Sequence, residues 1–127
     1  MGETDYFQFL AYRWDVIAAQ AMAEMMPVRR LDPRLWFPLL SAVTVDQEYV
    51  RRADLSRPLI LVEVRELQGS LIIDGWHRLA RAKAESVGEL PFVLLDADQE
   101  FRVRIFGGTK RPPLPRGGSS ASREEQS

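Results

Sequence analysis

Chemistry is concentrated in one stretch of the chain, Asp74-Gly75-Trp76-His77-Arg78. The first N–H groups of a helix have no intrahelical acceptor, and the helix dipole adds roughly half a positive charge there. A helix opening at Trp76 is therefore a site for an anion. Gly75 carries no Cβ to keep a phosphate from the backbone, and His77 and Arg78 add donors from the same turn. Arg78 can grip two oxygens at once. The chain's single histidine lies in this turn. Two plainer readings stand beside these: His77 and Arg78 as solvated residues at a helix start, and Asp74 as a turn-former bonded to its own backbone.

Such a turn needs a strand to lead in and a helix to lead out. Residues 70–73 are apolar enough for the strand, preceded by a Gln68-Gly69-Ser70 turn and a β-branched strand over residues 59–65. The helix from Trp76 turns Leu79, Ala80, Ala84 and Val87 inward and Arg81, Lys83 and Glu85 outward, with Gly88 as its left-handed end. Pro91 then opens a strand over residues 92–95. Asp96-Ala97-Asp98 reads as a turn, and Phe101, Val103 and Ile105 alternate with Arg102 and Arg104 as a last half-buried strand. Upstream, Asp32-Pro33 suits a helix cap followed by proline in the first turn, ending at Pro38. Residues 39–45 suggest a strand, after which Asp46 caps a short helix carrying Gln47, Glu48, Tyr49, Val50 and Ala53. The predicted order is strand, helix, strand, strand, helix, strand.

At the amino terminus Phe7, Leu10, Trp14, Ile17, Ala21 and Met25 recur at steps of three and four, which predicts an amphipathic helix over residues 5–26. Thr4 would cap it and Pro27 would close it. The helix either packs on its own domain or offers Trp14, Met22 and Met25, with Met26, as an adaptable apolar surface for a protein partner. From Gly107 the composition shifts to glycine, proline, serine and charge without apolar periodicity, which predicts a disordered tail. Lys110, Arg111 and Arg116 there could touch an acidic partner or nucleic acid, and Pro112 to Pro115 suits a polyproline ligand. The organisation expected is a helical extension over residues 1–38 packed on the domain, a core over 39–106 and a tail over 107–127.

A chain of 127 residues sustains one domain with a modest core. With 46% hydrophobic and 28% charged residues it has a globular composition, and no apolar run approaches the roughly 20 residues that span a bilayer. Its acidic start lacks the features of a secretory signal, so a cytoplasmic location is expected. Zero cysteines close disulfide, thiolate-metal and sulfur redox chemistry. With 17 basic and 18 acidic residues the net charge is −1, which does not favour a protein held on DNA mainly by phosphate contacts.

The segment Pro58-Leu59-Ile60-Leu61-Val62-Glu63-Val64, the turn Asp74-Gly75-Trp76-His77-Arg78-Leu79-Ala80-Arg81-Ala82, and Gly88-Glu89-Leu90-Pro91-Phe92-Val93 follow one another in a familiar order. That order resembles the ParB/sulfiredoxin-like superfamily, whose pattern runs P-I-x-V, D-G-x-H-R-x-x-A, G, I-P-V. The likeness spans residues 43–105. It implies an α+β fold, a mixed sheet with flanking helices, to which the N-terminal amphipathic helix would be an addition. It also implies that Gly75, Trp76, His77 and Arg78 hold a nucleotide phosphate, of ATP or CTP with magnesium, and that Asp74 is the acidic residue before them.

Trp76 stands where sulfiredoxins carry their cysteine, so that activity is excluded. The Gly-Glu-Arg-Arg of the segregation proteins is absent. The free-serine kinases have the nearer turn, Asp-Gly-His-His-Arg, and a carboxylate base from an earlier helix. By that likeness Asp74 would help hold the metal and Glu48 would be the catalytic base, although Glu48 reads equally as a surface glutamate. Two functions are therefore expected: hydrolysis of a nucleoside triphosphate or transfer of its phosphate, or a non-catalytic plasmid or phage module binding protein or DNA. Nuclease activity rests on family analogy alone.

Overall fold

The computed structural model describes residues 6–110. Among these residues seven strands and four α-helices form a mixed four-stranded sheet, a small antiparallel sheet and helices on both faces of the larger one, an α+β architecture. The central sheet contains β3 (Arg29–Leu31), β4 (Leu59–Val64), β5 (Gly69–Asp74) and β6 (Leu90–Leu95), in the order β3-β6-β4-β5. β4 runs parallel to β6, and the other pairings are antiparallel.

Strand periodicity divides the core in two. Ile60, Val62, Leu71, Ile73, Val93 and Leu95 pack on one side, and Leu59, Leu61, Ile72, Leu90 and Phe92 on the other. Both faces are covered, which is why β4 and β6 read as nearly continuous apolar runs. The first side holds α1 (Val16–Ala23) and α4 (Ala97–Val103), through Ala19, Ala23 and Val103. The second holds α3 (Trp76–Ala84), through Trp76, Leu79 and Ala82. α2 (Gln47–Arg52) packs beside α3, and Asp46 caps it by accepting from the Glu48 N–H at 2.8 Å. Among the described residues no helix is long and apolar enough to cross a membrane.

The long N-terminal helix does not form. Its first half is a hairpin, β1 (Tyr6–Phe9) and β2 (Tyr12–Asp15), and only the remainder is helical. Phe7, Phe9, Tyr12 and Trp14 are β-favouring aromatics that also satisfy a two-residue period, and the strand reading prevails. Leu10 makes the turn at φ 56° without a glycine to announce it. Asp15, not Thr4, caps α1 by accepting from the Ala18 N–H at 3.0 Å; Thr4 lies outside the described residues.

Further expectations are corrected. Residues 39–45 form no strand, because a 3-10 helix over Phe37–Ala42 begins with Pro38 in its first turn. It follows a 3-10 turn, Pro33–Leu35, capped by Asp32 as expected. Residues 101–103 belong to α4, whose capping box pairs Asp96 and Gln99 in both directions at 2.9 Å; only β7 (Arg104–Phe106) remains extended. The left-handed residue after α3 is Ser86, at φ 57°, rather than Gly88, and Ala84 is exposed while Ala82 is buried. At the start of the expected tail, Gly107 and Lys110 exchange backbone bonds at 2.8 and 2.9 Å, and the Lys110 ammonium donates to the Phe101 carbonyl. Residues 111–127 of that expectation lie outside the described residues.

A charged cluster binds the small sheet to the rest. Glu100 is fully buried and accepts from the Trp14 indole at 2.7 Å and from Arg104 at 2.7 and 2.8 Å. Arg104 also donates twice to Glu66 and once to the Gly107 carbonyl. All of the Arg104 nitrogens are engaged, as a buried guanidinium requires.

Candidate functional site

β5 delivers Asp74 to the sheet edge, and Gly75 turns the chain into α3 at φ 107°. A Cβ on Gly75 would lie 2.5 Å from Leu59 Cδ2 and 3.0 Å from Arg78 Nη2. The glycine therefore serves two ends: a left-handed turn, and room for the Arg78 side chain to fold back over it. No side chain caps α3.

Arg78 is only 7% exposed. Its Nη2 lies 3.4 Å from Asp74 Oδ2, a long contact, and its Nε has no hydrogen-bond partner. Burial pulls the guanidinium below its usual range; the Asp74 carboxylate opposes that shift and the nearby Arg57 charge adds to it. The buried Trp76 Nε1 also lacks a partner. Among the described residues, these two are the buried side-chain polar atoms left unsatisfied. Both belong to the turn that the sequence singles out.

A cleft of about 670 Å³ opens over the turn. Its lining includes Tyr6, Phe7 and Gln8 of β1, and Tyr49, Arg52, Asp54 and Arg57 from α2 and the loop after it. Arg52, Arg57 and Arg78 outnumber the two lining carboxylates, Asp54 and Asp74. The balance favours an anionic ligand. Nothing in the sequence marks Arg52, Asp54 and Arg57 as site residues: Arg52 reads as one more charge on the short helix after Asp46, and Asp54 and Arg57 as parts of the loop before β4. Gln20 reads as a polar helix residue, yet it donates to Asp74 Oδ2 at 3.0 Å and fixes the carboxylate.

His77 does not reach for a ligand through Nε2. That nitrogen accepts the Asp46 N–H at 3.1 Å, and Tyr49 meets the ring edge-on at 5.8 Å. Nδ1 then carries the proton of the neutral ring. The residue latches the cap of α2 to the start of α3, two of the elements that line the cleft.

The remaining expected residues are dispersed. Glu48 is exposed, paired with Arg51, and does not line the cleft. Trp14 is wholly buried in the core, so it is no docking surface; Met22 packs against the same core, while Met25 is 85% exposed. The three share no surface because the first belongs to a strand rather than to a helix.

The donors present fit an anion better than a protein-held cation. Among the described residues no group of three His, Cys, Asp or Glu side chains could hold a metal ion. Asp74 Oδ2 already faces Gln20 and Arg78, whose positive charge repels a cation. No family model, no curated protein and no solved structure matches this chain.

Proposed function

We propose that the protein binds a nucleotide in the cleft, with its phosphates on Arg78 and the first turn of α3. The observation that carries this reading is Arg78 itself, a buried guanidinium with an unpartnered Nε beside an open cleft. An incompletely paired buried charge costs several kcal/mol, and a phosphate would repay that cost with charge-assisted bonds. Arg52 and Arg57 suit a ligand with more than one negative charge, and the volume lies within the range of about 300–1,000 Å³ usual for small-molecule sites. The resemblance of the Asp74–Arg78 turn to the ParB/sulfiredoxin-like phosphate turn supports the same ligand class.

Binding is better supported than turnover. Phosphoryl transfer to a hydroxyl or water calls for a group that orients or deprotonates the acceptor. Asp74 is held by Gln20 and Arg78. Asp54 accepts from the Ser56 hydroxyl and N–H, and these bonds hold it below the usual carboxylate range, which makes it a poor base. The His77 Nε2 lone pair is occupied by Asp46.

Thermal melting of the full chain with ATP, CTP, GTP and ADP, each with and without magnesium, tests the reading beside a phosphate-release assay. At least one nucleotide at a hundred times its Kd should stabilise the fold by about 2.7 kcal/mol, with no phosphate released over background. No shift with any nucleotide would contradict binding, and steady turnover would contradict a site that binds without catalysing.

A further inference from the structure

Tyr6, Phe7 and Gln8 all line the cleft. Successive side chains of a strand point to opposite faces of its sheet, so three consecutive residues border a cleft when the strand presents its edge. β1 is placed to do so, at one end of the β1-β2-β7 sheet.

The register identifies which main-chain groups that edge offers. A two-residue turn, Leu10-Ala11, sets Phe9 opposite Tyr12. Residues flanking such a turn exchange both backbone bonds, and bonded and non-bonded pairs then alternate along the hairpin. Phe9 with Tyr12 and Phe7 with Trp14 are therefore the bonded pairs. The N–H and C=O of Tyr6 and Gln8 face away from β2, toward an edge that no other strand pairs with among the described residues. The same alternation turns the main chain of Arg13 toward β7, where it pairs with Phe106.

Side chains on this strand are partly engaged. Gln8 Oε1 accepts from Arg13 at 2.7 and 3.0 Å, and the Arg13 guanidinium lies 4.3 Å over the Tyr6 ring. The Phe7 ring stacks on Trp76 with centroids 5.8 Å apart, which fixes the edge against the first turn of α3. Beside the Gln8 amide nitrogen and the Tyr6 hydroxyl, the main chain offers a fixed pair, the Gln8 N–H as donor and the Tyr6 C=O as acceptor, on residues that line the same cleft as Arg78.

We infer that this edge reads the base of the bound nucleotide, the Gln8 N–H and Tyr6 C=O pairing with an adjacent acceptor and donor on the base. Adenine and cytosine present that pair as a ring nitrogen beside an amino group. The inference rests on the phosphate reading above, and inorganic tripolyphosphate separates the two, because it carries the charge without a base.

Calorimetric titrations of tripolyphosphate, ATP, CTP and UTP into the full chain, its Gln8→Pro variant and its Gln8→Ala variant provide the test. Proline removes the one N–H in question, and a position whose N–H faces away from the ladder tolerates it. ATP or CTP should bind wild type at least about tenfold more tightly than tripolyphosphate. Gln8→Pro should lose that preference while keeping its tripolyphosphate affinity, and Gln8→Ala should retain the preference. In wild type, the Gln8 amide should gain exchange protection with ATP or CTP and none with tripolyphosphate, a readout independent of how the proline variant folds. Tripolyphosphate binding as tight as that of every nucleotide, or a preference that survives Gln8→Pro, would overturn the inference. Failure of tripolyphosphate and nucleotides alike to bind would overturn the phosphate reading and this one with it.

Discussion

Gly75 carries more constraint than any other single residue at the site. Its φ of 107° is strained for a residue with a side chain, and a Cβ would press on Leu59 and on the Arg78 guanidinium together. Gly75→Ala is expected to cost roughly 1–3 kcal/mol from the backbone conformation, read as a lower urea midpoint at unchanged slope. A midpoint equal to wild type would show that the turn relaxes and that the glycine is not required. Asp74, Gly75 and Arg78 were legible from the sequence because the turn is local: strand, glycine and helix start are neighbours in the chain. The lining from Gln20, Arg52, Asp54 and Arg57 was not, because long-range pairing brings those residues to the turn and no periodicity encodes it.

Among the elements, the sequence was most readable where local signals agreed. Apolar content and flanking turns marked β4, β5 and β6, and Asp32 and Asp46 marked the starts of their short helices. It was least readable where two periods competed. The aromatics of the N-terminal hairpin also fit a helix, and the alternation of Phe101, Val103 and Ile105 lost to the capping box at Asp96. Those two misread regions meet in the cluster of Trp14, Glu100, Arg104 and Glu66, which joins the hairpin, α4, β7 and the turn after β4. The Arg104 guanidinium, then the Thr109 N–H, hold the Glu66 carboxyl well below the usual carboxylate range. A carboxylate lowered in the folded state contributes stability that is complete above its unfolded value of 4.5 and is lost as pH falls toward the folded one. Stability should therefore decline steadily below that pH, and Glu66→Gln should flatten the decline while lowering stability at neutral pH. A variant whose acid limb parallels wild type would remove Glu66 from the account.

Across the whole molecule, two arginines divide the labour. Arg104 is buried and fully partnered, and it joins elements; Arg78 is buried with one nitrogen unpartnered, and it faces a cleft. A group whose charge the fold only partly satisfies is a candidate for service to a ligand, because the charge-assisted bonds it lacks are left for the ligand to supply. Calorimetric titration of ATP and CTP into wild type and Arg78→Met, with melting of both proteins alongside, is therefore the most direct test. The account predicts saturable binding to wild type and a loss of about tenfold or more in the variant, with the melting curve showing that the variant is folded at the titration temperature. Equal affinity in the two proteins, or no binding to a folded wild type, would contradict it.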